Sequence, residues 1–185
     1  MRRLLATLLL LLTACARGAA PATLPLGKED LPLKAGTYRS PDGFTPRLDL
    51  RLDGDGWQSV HRYDDFFDVG HPEPGADVPR LAIAFSRTDR APDAVLRVFG
   101  EHPTDATLAG RAARFVEVTG HPDEEVYRNG DLGLYGAVGQ TIRLYATAVG
   151  GTTLVVAVIV PDPRNWAAMR DEAHRVLDTL EVRSP

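Results

Sequence analysis

The sequence predicts an α+β domain, with an antiparallel β-sheet packed between α-helices, behind a removable N-terminal segment. Three patterns indicate this fold class. Leu48, Leu50 and Leu52 alternate with polar residues, as in a strand that buries one face. Residues 140–160 have the pattern of a long apolar hairpin, and residues 162–180 carry apolar side chains at helical spacing.

The first fourteen residues predict an export signal. Arg2 and Arg3 precede a leucine-rich apolar segment at residues 4–12, and small residues follow it. A membrane-spanning helix needs about 20 apolar residues, so this segment is too short to remain as an anchor by itself. We therefore predict a signal peptide at residues 1–14.

Cys15 is the candidate lipidation site. Leu12-Thr13-Ala14-Cys15 resembles the lipobox of bacterial lipoproteins, in which the cysteine is acylated, for example with palmitate, and becomes the new N-terminus. Cys15 is also the only cysteine of the chain, so no disulfide can form within it. The alternative is an ordinary secretory signal, because Ala14-Cys15-Ala16 also fits a small-x-small cleavage site.

The lipoprotein interpretation predicts a protein anchored to the extracytoplasmic face of the cell membrane. Residues 15–34, rich in Ala, Gly, Pro, Leu and Thr, are expected to form a flexible linker, and residues 35–185 a single domain. Removal of residues 1–14 leaves 19 basic against 25 acidic residues, a formal charge of −6. This acidic balance, without any Lys/Arg run, argues against nucleic-acid binding.

Strands dominate the first half of the predicted domain. Residues 47–53 and 57–63 are expected to pair as a hairpin across the glycine-containing turn at 54–56. Further strands are expected at residues 65–69 and 80–87. Pro92 suits the first turn of a helix, and this helix is expected to end at Gly100.

The second half contains the clearest hairpin. A strand is expected at residues 109–118 and a possible short one at 125–128. Residues 140–149 and 152–160 are expected to pair across Gly150-Gly151, and the second strand is continuously apolar, as in the centre of a sheet. Asp162 is the expected N-cap of the last helix, and a short strand is expected at 180–182.

The order of these features resembles actinobacterial-type lipoproteins with a PsbP/Mog1-like domain, an α/β/α sandwich. The resemblance covers about residues 35–183 and rests on turn and packing signatures, which are Gly36-Thr37-Tyr38, Gly56-Trp57, His102-Pro103, Ala109-Gly110-Arg111 and the run Val176–Val182. It implies an antiparallel sheet between helices and a binding or accessory role, without a reaction or a cofactor.

One polar cluster is a weak candidate for a metal site. His61, Asp65 and His71 carry the imidazole and carboxylate groups that bind zinc or iron. The neighbouring Asp64 and Asp68 add further carboxylates. The alternative is a solvated acidic edge with structural histidines, because the surrounding residues have the pattern of strand and loop.

No catalytic motif is present, so we expect a non-catalytic binding or accessory module with a partner protein in the cell envelope. A first alternative is a carrier of an apolar ligand or lipid, with a cavity between sheet and helix. Such a cavity is expected to be lined by Phe85, Phe99, Phe115 and Trp166. A second alternative is a metal-dependent enzyme built on the His61–His71 cluster.

Overall fold

The computed structural model describes residues 22–26, 32–75, 79–97, 102–119, 124–129, 132–136 and 140–183. The predicted signal peptide and Cys15 lie outside the described residues. The strands are β1 Thr23–Pro25, β2 Pro32–Leu33, β3 Gly36–Arg39, β4 Arg47–Leu52, β5 Trp57–Arg62, β6 Phe66–His71, β7 Leu81–Thr88, β8 Thr104–Leu108, β9 Arg111–Thr119, β10 Glu124–Asn129, β11 Leu132–Gly136, β12 Thr141–Val149, β13 Thr152–Val160 and β14 Glu181–Arg183. The helices are α1 Pro92–Leu96 and α2 Trp166–Leu177.

An eight-stranded antiparallel sheet is the main element, with strand order β2-β5-β6-β7-β13-β12-β9-β8. The apolar strand β13 pairs with β7 and β12, which confirms its predicted central place. Gly150 and Gly151 adopt positive φ angles of 56° and 90° in the β12–β13 turn. Glycine favours this conformation because it has no Cβ, and the predicted hairpin is confirmed.

A second sheet has the order β1-β3-β4-β14. Leu48, Leu50 and Leu52 of β4 are fully buried, and they share a core with Phe85 and Val156 of the large sheet. This core lies on one face of the large sheet, because alternate residues of β13 belong to a separate buried cluster on the other face.

The predicted hairpin between β4 and β5 is wrong. The two strands are consecutive, but β4 pairs with β3 and β14, whereas β5 pairs with β2 and β6. Gly54 and Gly56, with φ angles of 96° and 97°, turn the chain out of the small sheet and into the large one. The alternating pattern of β4 therefore identified a buried face correctly, but it did not identify the neighbouring strand.

Two short strands fall within the stretch for which a linker is expected, residues 15–34. β1 pairs in parallel with β3, and β2 pairs with β5. Leu26 and Leu33 are buried in the main core, with 2% and 5% of their surfaces exposed. The described parts of this stretch are thus packed on the domain.

The two helices of the described residues pack on opposite faces of the large sheet. Helix α1 buries Val95 and Leu96 in the cluster that contains Val155, and the last part of the predicted helix, residues 98–100, lies outside the described residues. Helix α2 buries Ala173 and Val176 in the other cluster. No helix in the described ranges is both long and apolar enough to cross a bilayer.

A 3-10 turn at Pro163–Asn165 precedes α2, and the Asp162 carboxylate accepts a hydrogen bond from the backbone N–H of Arg164 at 3.0 Å. Asp162 thus caps the 3-10 turn, whereas the N-cap position of α2 itself is Asn165, three residues later than predicted. The short C-terminal strand is confirmed, as β14.

The predicted antiparallel sheet is confirmed, but the balance of elements differs from an even α+β mixture. The domain is mainly β with some helix. It contains two strands that were not predicted, β8 and β11, and helix α1 covers the five residues Pro92–Leu96. The PsbP/Mog1-like sandwich stays a prediction.

Candidate functional site

The structure separates the residues of the candidate metal site. His61 Nδ1 lies 2.9 Å from the carboxylate of Asp68, and the backbone N–H of His61 donates to the same carboxylate at 2.7 Å. Asp65 lies in the turn between β5 and β6, where its carbonyl accepts a hydrogen bond from the Arg87 N–H. His71 lies at the far end of β6, where the neighbouring residue, Gly70, pairs with β5.

The spacing along β5 and β6 keeps the two histidines apart. His71 lies about level with Trp57, and four residues of a strand span about 13 Å, which is much longer than a metal–ligand bond of about 2 Å. No group of three or more His, Cys, Asp or Glu residues with metal-site geometry occurs in the part of the chain that the structure describes.

His71 instead connects the sheet to helix α2. Its Nδ1 accepts a hydrogen bond from Arg80 Nε at 3.1 Å, and its ring meets the edge of Trp57 at a centroid distance of 5.5 Å. Glu172 of α2 lies 3.5 Å from Arg80 and 3.9 Å from His71. These contacts indicate a structural role in which His71 and Arg80 hold Glu172, and with it helix α2, against β6 and β7.

Of the four residues expected to line a cavity, Phe85 is a core residue. It is fully buried and stacks on Phe67 at a centroid distance of 4.7 Å. Phe99 lies outside the described residues. Phe115 and Trp166 are partly buried, and both lie beside one cleft.

This cleft has a volume of about 350 Å³. It lies between the β8–β9 hairpin, strand β12 and the C-terminal part of helix α2. Eleven residues line it: Ala106, Thr107, Leu108, Ala109, Gly110, Phe115, Arg143, Tyr145, His174, Leu177 and Asp178. This volume falls within the range of about 300–1,000 Å³ that is typical of small-molecule sites, although the accessible lining is more polar than apolar.

The β8–β9 turn forms one wall of the cleft in a strained conformation. Ala109 has a φ of 52° and Gly110 a φ of 70°. Positive φ is natural for Gly110 but brings the Ala109 Cβ too close to its own backbone. Backbone strain at a non-glycine residue is often found at binding sites, where the surrounding structure enforces it.

Arg143 is the most strongly positioned polar residue of the cleft. It lies directly opposite Glu117 on the neighbouring strand, and its Nε and Nη2 donate to Glu117 Oε2 at 3.1 and 2.6 Å. Its guanidinium also lies over the rings of Phe115 and Trp166, at 4.6 and 5.5 Å from their centroids.

The Arg143 guanidinium stays charged in this setting. Burial by itself would lower the pKa of Arg143, but hydrogen bonding with Tyr145 and Glu117 raises it overall. Glu117 accepts from two of the five N–H donors of the guanidinium, which also lines the cleft and can donate to a ligand there.

Tyr145 and His174 join the sheet to the helix across the cleft. Tyr145 Oη and His174 Nε2 are 2.8 Å apart, and which of them donates depends on the imidazole tautomer. Burial lowers the pKa of His174, and the nearby Arg143 lowers it further, so the imidazole is neutral at pH 7. The pair thus presents fixed but uncharged hydrogen-bonding groups.

Sequence reasoning did not identify Arg143, Tyr145 or His174 as site residues. A signal for the first two was present, because Arg143 and Tyr145 alternate with the buried Ile142 and Leu144 and so share one face of β12. The approach of His174 to that face depends on the packing of α2, which strand periodicity does not report.

No family model matches the sequence, and no curated protein matches it significantly. Among solved structures, the chain is similar to LpqN of Mycobacterium tuberculosis, a protein involved in cell envelope biogenesis. The TM-score is 0.48 at 16% identity, over 83% of this chain and 90% of LpqN.

The chain is also similar to a protein of Bacteroides thetaiotaomicron VPI-5482, with a TM-score of 0.48 and 14% identity over 74% of this chain. It matches 45% of the length of that protein. Both TM-scores lie below 0.5, and neither neighbour assigns a fold family or a function to this chain.

Proposed function

We propose that this chain is a lipid-anchored, non-catalytic binding module on the extracytoplasmic face of the cell membrane, and that it binds through the cleft beside Arg143. The anchor is Cys15, at the end of the lipobox-like Leu12-Thr13-Ala14-Cys15. The domain beyond it serves as an accessory module of the cell envelope with a PsbP/Mog1-like fold, in keeping with the sequence resemblance.

One observation supports the binding role above all others. The cleft of about 350 Å³ places a charged guanidinium, a phenol and a neutral imidazole beside apolar walls. Each group is held in place, since Arg143 pairs with Glu117 and Tyr145 contacts His174. Groups fixed in this way lose little conformational freedom when a ligand binds, which favours affinity.

The occupant of the cleft is either a small ligand or a side chain of an envelope protein. A small ligand is favoured by the volume of the cleft and by the partly buried Phe115 on its wall. This is the carrier function that the sequence offered as an alternative, and two of its four expected lining residues, Phe115 and Trp166, lie at this cleft. A protein partner is supported by the expected surface location.

A photocrosslinking amino acid at Thr107, an exposed residue on the cleft wall, tests the proposal in living cells. We expect reproducible adducts, resolved by mass spectrometry into small molecules or one envelope protein. The matched control places the same amino acid at the exposed Asp64, in the β5–β6 turn near the opposite edge of the large sheet. Identical adducts at both positions, or none at Thr107, would contradict the proposal.

A further inference from the structure

We propose that the ligand of the cleft is a small molecule that carries a primary amine next to an apolar group and a hydrogen-bond acceptor, as an amino-acid derivative does. This inference rests on the proposed function of the cleft as a binding site. It follows from the charges on the cleft walls and from the place of Asp178 at the end of helix α2.

The charges of the cleft leave one carboxylate uncompensated. Arg143 and Glu117 form a close ion pair at 2.6 Å and largely cancel each other. Asp178 is the other acidic or basic residue on the cleft wall besides Arg143 and His174, and its side chain makes no hydrogen bond or ion pair with any described residue. Because Glu117 lies outside the cleft and holds Arg143, Asp178 is the charged lining residue that is left to attract a cation.

The position of Asp178 strengthens this preference. Asp178 is the C-cap of α2, and the C-terminal end of a helix carries partial negative charge on its free carbonyl groups. An acidic side chain is unfavourable there, whereas a basic residue that suits this end, Arg175, precedes it. An ammonium group at the mouth of the cleft would be attracted by both the carboxylate and the helix end.

The remaining walls specify the rest of the ligand. Leu108, Phe115 and Leu177 provide an apolar surface for a hydrocarbon or aromatic group. The Arg143 guanidinium, which lines the cleft, provides a donor for a carbonyl or carboxylate oxygen. An α-amino ester or amide has these three features within a volume that about 350 Å³ can hold.

Isothermal titration of the purified mature protein with L-phenylalanine methyl ester tests the inference. The N-acetyl derivative of this ester keeps the ring and the carbonyl but lacks the charge, and we expect it to bind more weakly. Asp178→Asn should weaken binding of the free amine about fivefold, the usual range for an exposed ion pair, and leave the N-acetyl derivative unaffected. Asp42→Asn, at an acid that is 93% exposed and outside the cleft, should change neither.

Equal affinity for the two esters, no binding of either, or no effect of Asp178→Asn would overturn the amine assignment. The proposed function would survive each of these results if the crosslinks at Thr107 persisted. Loss of the crosslinks would instead remove the cleft as a binding site. The two failures are therefore distinguishable.

Discussion

Arg183 in the last strand donates a hydrogen bond from Nε to Oδ2 of Asp49 at 2.9 Å, although the two residues are 134 positions apart in the chain. Arg39 binds the same carboxylate from the other side, at 2.8 and 3.1 Å. Asp49 is 2% exposed, so its charge depends on these two partners. The carboxylate thereby ties β3 and β14 to β4 between them.

The first prediction concerns this carboxylate. Hydrogen bonding to Arg39 lowers the pKa of Asp49 below its usual 3.8, against the opposing effect of burial. A lowered pKa contributes stability that is present above pH 3.8 and lost as the pH falls below it. Asp49→Asn should therefore reduce the free energy of unfolding at pH 7 by about 2–3 kcal/mol and flatten its dependence on pH below about 4.

Urea unfolding at pH 7 and at pH 3 measures both effects. Asp42→Asn is the control. Asp42 pairs with Arg47 at the surface, so this substitution should leave the free energy of unfolding almost unchanged. A variant at position 49 as stable as the wild type would show that the buried carboxylate contributes no net stability.

The second prediction concerns the strained turn at the cleft. Ala109→Gly should increase the free energy of unfolding by about 1 kcal/mol, because glycine adopts the observed φ of 52° without a steric penalty. Ala112→Gly, in the neighbouring strand β9, should decrease stability by about 0.5–1 kcal/mol. Thermal unfolding of the two variants checks the difference in sign, and a destabilised Ala109→Gly protein would refute the strain.

The third prediction separates stability from binding at helix α2. Asp178→Asn should raise the free energy of unfolding by about 0.3–1 kcal/mol, because it removes a negative charge from the negative end of the helix. Asp171→Asn, in the middle of the same helix, is the control and should have a smaller effect. Calorimetry in low salt measures these changes, and a less stable Asp178→Asn protein would mean that Asp178 has a structural partner in solution.

The fourth prediction uses the neutral His174. Burial, assisted by Arg143, lowers its pKa below 6.5, so the unfolded chain takes up a proton before the folded chain does. Stability from this group is therefore full above pH 6.5 and is lost as the pH falls through that value and below. His174→Gln should lose less stability than the wild type between pH 7 and pH 5, as measured by denaturant titration.

Parallel profiles of the wild type and His174→Gln would contradict the neutral, buried imidazole.

The fifth prediction tests the anchor. Cys15→Ser should move the protein from the membrane fraction to the soluble fraction, because serine lacks the thiol that is acylated. Thr13→Ser keeps a small residue before the cysteine and should leave fractionation unchanged. A serine variant that stays in the membrane fraction would place the anchor elsewhere.

The sequence predicted one local strand pairing correctly, but it did not indicate which strands pair across long separations in the chain. The β12–β13 hairpin could be predicted because Gly150-Gly151 joins two apolar strands directly. The pairing of Val182 with Leu48 has no such local signal, since a period of two shows which side of a strand is buried but not what it faces. This limit also explains the incorrect β4–β5 hairpin.

The cleft was less predictable than the fold for the same reason. Arg143 and Tyr145 share a strand face, but His174 and Asp178 reach them only through the docking of α2. Strand β8, which forms another wall, is an edge strand with the polar sequence Thr104–Leu108. Polar edge strands lack the apolar alternation by which strands are recognised, so this wall was not expected.

If Cys15 carries acyl chains, the pairing of β1 with β3 limits the distance between the domain and the bilayer. Thr23 follows Cys15 by eight residues, and a fully extended chain of that length reaches about 26–29 Å. With acyl chains on Cys15, the body of the domain would stay within roughly its own width of the lipid headgroups. A ligand would then bind and dissociate close to the membrane surface. A longer segment between Cys15 and Thr23 would increase the distance that the domain can reach from the bilayer.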